Sequence, residues 1–330
     1  MLGKEVVKVE DIMMDKNRFK KFLPIVIITV FTLIFIGGMV RSTGAGMGCP
    51  DWPTCFGKVI PPTSVDQLPD DYRTRFSKPG RIVAVFNPVH TWTEYFNRMA
   101  GVWTGIASII LFVLSFAYKK DNKKVVWLAG LSLFLVVLNG GVGAMVVRSH
   151  LHPNVITVHM LLTIFLTFAL AQLKYETKPI SFERNYNVDK YKDYLWVLVT
   201  FLVIQVVLGT QVREQIDVIT NTEPNLARTN WLERLDMIFY IHRSFSILIL
   251  LGFSYTLRRI MQEFQDHAFV QRKCISIMLT LIGVVAAGVI LAYLAFPAVA
   301  QPIHLLFAIL LTYFIYELIV ILKKAKQVSV

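Results

Sequence analysis

Charge is what this chain has least of: only 17% of its 330 residues are charged, against 55% hydrophobic, and the mean hydropathy is +0.55. That balance excludes an ordinary soluble domain and assigns the chain to a membrane. Acidic residues are the scarcer sign, 22 against 34 Lys and Arg, for a net charge of +12. Such a surplus suits nucleic acid only when it gathers on one exposed face. Here the basic residues fall between apolar runs, so no nucleic-acid partner is expected. The first apolar run lacks a small-x-small cleavage site and follows a long polar lead-in, which reads as a retained helix rather than a secretory signal. Glu5, Glu10, Asp11 and Asp15 argue against a mitochondrial transit peptide. Cysteine is also sparse: Cys49 and Cys55 form the only near pair, and Cys274 stands apart.

Helix-length apolar runs are abundant. A spanning helix needs about 20 mostly apolar residues. Residues 22–40, 99–118, 125–147, 153–173, 195–212, 274–297 and 303–322 qualify, and 237–257 is interrupted only by His242 and Arg243. The chain is therefore expected to be an all-α polytopic membrane protein with eight transmembrane helices. Lysine and arginine cluster before the first helix (Lys4, Lys8, Lys16, Arg18, Lys20, Lys21) and in alternate connections. These are Lys119 to Lys124, Lys174 to Lys192 with Arg184, Arg258 to Lys273, and Lys323 to Lys326. All five segments fall on one side, which predicts both termini in the cytoplasm and a bacterial cytoplasmic (inner) membrane location, surrounded by lipid.

The chain also repeats itself. Asn97 and His159 lie 62 residues apart, as do His242 and His304, and Asn97 and His242 are each followed by arginine. Tyr95-Phe96-Asn97-Arg98 matches Tyr240-Ile241-His242-Arg243, and the segments ending at Arg41 and Arg213 are alike. A period of about 145 residues is too long for a solenoid unit and suggests a duplicated bundle. The expected organisation is two pseudo-symmetric four-helix bundles at 22–173 and 195–322. A cytoplasmic segment at 1–21, a linker at 174–194 and a tail at 323–330 flank them, and a long extracytoplasmic loop occupies 44–93.

Asn97, His159, His242 and His304 then fall near the starts of helices two, four, six and eight, at one depth near the outer surface. One imidazole from each of two facing helices is the common way to hold a b-type haem within a membrane bundle. Zinc or copper would recruit further ligands, and the second half offers none at that depth. His159, His242 and His304 are thus candidate iron ligands. Arg41, Arg98, Arg213 and Arg243 are candidate partners for haem propionates, since guanidinium pairs with carboxylate through charge-assisted bonds; interfacial snorkelling is the competing explanation for any one of them. His90, His150 and His152 have no counterpart in the repeat and read as loop residues.

Glu94, three residues before Asn97, shares its helix face, whereas the second half has Phe239 there. This asymmetry assigns chemistry to the first half and electron storage to the second, with helix-start capping as the alternative role for Glu94. Glu317, deep in the last apolar run, has no assigned role. In the first loop, Cys49 and Cys55 suit a disulfide on the oxidising side, with free thiols or a redox-active pair as alternatives. Gly44, Gly46 and Gly48 follow no strand and form no dinucleotide fingerprint; they are expected to let the backbone turn closely over a ligand.

The chain resembles the haem A synthase family through Val40 to Pro53, Glu94-Tyr95-x-x-Arg98, Val158-His159, Ile241-His242-Arg243 and Ile303-His304, in order along nearly its whole length. The resemblance implies an eight-helix oxidoreductase that converts the C8 methyl of haem O to the formyl of haem A by successive hydroxylations. It implies a haem b held by His242 and His304 that relays electrons, and Glu94 beside the reacting methyl. It also implies haem O synthase and cytochrome oxidase assembly factors as partners, with homo-oligomerisation left open. One departure stands out: the family commonly has Glu-x-x-His-Arg where this chain has Glu94-Tyr95-Phe96-Asn97-Arg98. Asparagine ligates iron poorly. The expectation is a five-coordinate substrate haem on His159, with Asn97 orienting water or substrate; His90 would have to reach across about 10 Å of helix rise.

The main competing reading is a non-catalytic membrane dihaem b-type electron carrier, which needs neither Glu94 nor an elaborate first loop. A transporter would place broken helices at the midplane. A prenyl transferase would need a second acidic cluster to accompany Asp66 and Asp70.

Overall fold

The computed structural model describes residues 15–77, 85–178, 180, 182, 186 and 188–325. Lys4, Lys8, Glu5, Glu10, Asp11, Arg184 and Lys326, which entered the charge arguments above, lie outside these. Eight long helices account for most of the described chain: α1 (Lys16–Ser42), α2 (Pro88–Ser115), α3 (Lys123–Arg148), α4 (Pro153–Glu176), α5 (Asp189–Thr222), α6 (Met237–Glu263), α7 (Ala268–Tyr293) and α8 (Ala300–Ala325). All eight are long and apolar enough to cross a membrane, and no strand forms among the described residues. The protein is an all-α polytopic membrane protein.

Helices dominate because every backbone amide must be satisfied within its own segment where water is absent. Their starts are set by short polar side chains that accept from otherwise orphaned amides. Asp15 accepts from Asn17 N at 2.8 Å, and Asn87 from Val89 N at 3.0 Å with Pro88 beginning the helix. Asp236 accepts from Ile238 N at 2.9 Å. Several helices outrun the apolar stretches that predicted them. α5 continues to Thr222, about ten residues beyond its greasy core, because polar residues with adequate helix propensity prolong a helix once it has left the apolar slab. His90 lies in the first turn of α2 rather than in a loop. His150 and Leu151 make the left-handed turn between α3 and α4, at φ 56° and 62°.

α1 packs on α2 and α3 on α4; α5 packs on α6 and α7 on α8. α8 also runs against α1 and α4, so it lies at the centre of the molecule. Its apolar window is 61% buried, against 17% for α6 at the periphery. Phe19, Leu23, Leu111, Leu128 and Leu170 form one core among α1 to α4. Leu195, Phe253, Leu257, Ile277 and Leu318 form another among α5 to α8. Large apolar side chains such as Ile28, Trp103, Trp127, Leu251 and Leu279 face outward, as a surface solvated by acyl chains requires.

Glu317, given no role above, is fully buried on α8. It pairs with Lys174 of α4 at 2.6 Å and with Lys273 of α7. Its carboxylate therefore joins three helices at the end of the bundle where α1 begins. Stacking of Phe168 on Tyr316, with ring centres 4.3 Å apart, reinforces the same seam.

Candidate functional site

At the opposite end, α6 and α8 bring His242 and His304 together with ring centres 6.4 Å apart. Two imidazoles on opposite sides of one iron, each bonded at about 2.0–2.1 Å, place their ring centres about 6–6.5 Å apart. The observed pair fits that spacing without moving a helix. His304 Nδ1 lies 2.9 Å from Val284 O, a contact to a carbonyl in which the ring donates from Nδ1 and keeps Nε2 as the free lone pair. His242 Nδ1 is buried and makes no bond among the described residues. The donor set is two imidazoles alone: among the described residues no group of three or more His, Cys, Asp or Glu gathers as a metal site. A macrocycle that supplies four ligands of its own suits such a pair.

Glycines make this approach possible. A methyl at Gly209 on α5 would sit 3.3 Å from His242 Cε1, and one at Gly288 on α7 would sit 3.2 Å from His304 Cε1. The first half repeats the arrangement more loosely, with Gly143 against His159 Cε1 at 3.6 Å and Gly37 against Asn97 Oδ1 at 3.7 Å. These partners were missed in the sequence, although Gly143 and Gly288 each stand sixteen residues before their histidine. His159 Nδ1 and Asn97 Oδ1 are buried without partners. Two unsatisfied polar atoms at the same end of one half cost free energy unless something else meets them.

Glu94 is 3% exposed on α2. Its Oε1 accepts from Arg98 Nη2 at 2.5 Å and its Oε2 from Cys49 N at 2.8 Å. Arg98 also donates from Nη1 to Asp51 O and Thr54 O, at 2.9 and 2.8 Å. Arg98 is thus tied to Glu94 and the first loop, leaving only its buried Nε without a partner. The loop itself is a folded unit. Cys49 and Cys55 are joined by a disulfide with Cα atoms 4.8 Å apart, and they pack with Phe56, Leu68 and Tyr72. Asp51 accepts from Phe56 N at 2.6 Å and Gly57 N at 2.9 Å. Thr91 Oγ1 donates to Gly48 O at 2.9 Å and Trp92 Nε1 to Pro62 O at 3.2 Å, fastening the loop to α2. Gly48 touches the backbone of His90 and Thr91, so its missing side chain serves loop-on-helix packing.

Arg41 and Arg213 meet on a residue not singled out in the sequence. Asp217 Oδ2 pairs with Arg41 Nη2 at 2.6 Å and its Oδ1 with Arg213 Nη2 at 2.8 Å. Arg243 is exposed, lying over the rings of Tyr240 and Phe239 at 5.2 and 5.8 Å.

A family model described as COX15-CtaA, cytochrome oxidase assembly protein, matches residues 20–316. Among curated relatives, a protein named Heme A synthase from Shewanella oneidensis is 27% identical over 212 residues, covering 62% of this chain and 61% of the relative. One of the same name from Wolbachia pipientis wMel is 23% identical over 256 residues, covering 68% and 71%. Another, from Nitrosomonas eutropha, is 30% identical over 198 residues, covering 54% of each. The match to the Shewanella oneidensis protein thus spans 61% of that relative's length.

Proposed function

The chain belongs to the COX15-CtaA family of cytochrome oxidase assembly proteins, and we propose that it is a membrane oxidoreductase of the haem A synthase type. Its substrate would be haem O, its product haem A, and its resident cofactor a haem b. The observation that carries this reading is the 6.4 Å spacing of the His242 and His304 rings, in a chain whose curated relatives are named Heme A synthase. When bound, the haem b would supply electron-transfer chemistry beside a site where the C8 methyl of the substrate undergoes a four-electron oxidation, two hydroxylations followed by loss of water, to a formyl group.

The protein's own residues divide the work. His242 and His304 would clamp the cofactor, with the Val284 carbonyl fixing the tautomer of His304. His159 would hold the substrate from one side only. Asn97 on the other side would orient a water or the substrate through its unpartnered amide oxygen. Glu94, gripped by Arg98 and the Cys49 amide, would accept a proton at a carboxylate oxygen as the methyl is oxidised. Arg98 acts here as the residue that positions Glu94, while Arg41, Arg213 and Arg243 remain for propionate recognition. In this proposal 22–173 and 195–322 are the duplicated bundles. Both termini face the cytoplasm of a bacterial inner membrane, and haem O synthase and oxidase assembly factors are the neighbours.

Pigments extracted from the protein, purified in detergent from cells that make haem O, test the proposal. Haem A together with haem O is expected; haem B alone would favour a dihaem b-type electron carrier. Glu94→Ala should abolish conversion while the His242/His304 haem spectrum persists. Loss of that spectrum instead would overturn the division of labour.

A further inference from the structure

Arg41 stands one turn after Gly37, which faces Asn97, and Arg213 stands one turn after Gly209, which faces His242. The two arginines thus occupy equivalent stations beside the two candidate pockets, yet they share a single acid. Asp217 bonds both, at 2.6 and 2.8 Å. Arg213 Nη2 also donates to Arg41 O at 3.4 Å, and its Nη1 to Gln301 Oε1 at 3.0 Å, three residues before His304. Arg213 Nε is buried without a partner. α1, α5 and α8 therefore meet in one polar cluster that spans the two groups of helices.

We propose that Asp217 is a positioning residue that couples the two haem pockets, an inference that rests on the haem-binding reading above. Two guanidiniums held by one carboxylate carry one surplus positive charge, which Glu214 near Arg41 offsets in part, and each arginine competes for the same acceptor. If Arg41 turns to a ligand carboxylate in the first pocket, Asp217 goes over more fully to Arg213. The positive field beside His242 and His304 then weakens. The side chains are 22%, 32% and 24% exposed for Arg41, Asp217 and Arg213, so bulk salt damps this field without removing it. Asp217 touches no reacting atom; it acts through the arginines.

The test is optical redox titration of the purified, haem-loaded protein. Asp217→Asn is expected to raise the midpoint potential of the His242/His304 haem, because loss of a negative charge favours the reduced form. Asp217→Glu should leave it near wild type. Arg41→Gln, in the other half of the chain, should lower it, and the shifts of Arg41→Gln and Asp217→Asn should fail to add in the double variant. Additive shifts, or an unmoved potential in Asp217→Asn, would overturn the proposal. Should Asp217→Asn not fold, an unmoved potential in Arg41→Gln alone overturns it. Wild-type protein that retains no haem at all would refute the underlying functional reading instead, and haem content per chain separates the two failures.

Discussion

Gly48→Ala probes how Glu94 is held in place. A methyl at residue 48 would collide with His90 O and lie 2.5 Å from His90 C and 2.7 Å from Thr91 N. All three are backbone atoms of the first helical turn, so no rotamer change relieves the clash. Restoring ordinary contact near 3.5 Å requires the loop to lift by about 1 Å. A lift of that size stretches the 2.8 Å bond from Cys49 N to Glu94 and the 2.9 Å bond from Thr91 to Gly48 O beyond useful range. The lost bonds, one to a charged acceptor, cost about 2–4 kcal/mol together. Glu94 keeps Arg98 as a partner but loses the amide that fixes its second oxygen. Displacing a catalytic group by about 1 Å lowers a rate on the order of 100-fold. The assay is the ratio of haem A to haem O in membranes expressing the variant, with the His242/His304 haem spectrum as the folding control. Conversion within twofold of wild type, at normal haem content, would refute the view that this loop holds the acid.

Asn97→His should supply the first pocket with a second imidazole and close it to exogenous ligands; carbon monoxide difference spectra read this directly, and undiminished binding would mean residue 97 does not face the metal. Glu317→Gln should leave the Lys174 and Lys273 ammoniums without their shared carboxylate, destabilising the fold by about 3–5 kcal/mol. Thermal unfolding in detergent measures that loss, and an unchanged midpoint would show that the cluster contributes nothing.

The number of helices was legible because each apolar run is long enough to cross a bilayer and its neighbours are plainly charged. Where helices end was not, since hydropathy registers the apolar slab and is blind to a helix that continues past it. The extension of α5 is the instructive case: it carries Asp217, which in the sequence is one more acid in a polar stretch. The approach of His242 to His304 was legible because each falls near the start of its helix at the same end of the bundle. The grip of Arg98 on Glu94 follows from their spacing, four residues apart on one helix face, whereas the carbonyls of Asp51 and Thr54 that also hold Arg98 come from a loop distant in sequence. Gly48 approaches the first turn of α2 and not a ligand, a contact the sequence does not mark because it cannot say which backbone a glycine approaches. The loop that carries it folds through contacts such as Cys49 with Thr91 and Trp92 with Pro62, distant in sequence and unmarked by any local pattern.

The central position of α8 bears on how the protein meets bilayers of unequal thickness. Helices with broad acyl-facing surfaces, such as α6, can tilt to match a thinner or thicker slab at modest expense. α8 is wrapped on most sides by protein and pinned near one end by Glu317, so it has little freedom to follow. Accommodation should fall to the rim, and the height of the His304 nitrogen should stay constant as lipid composition varies.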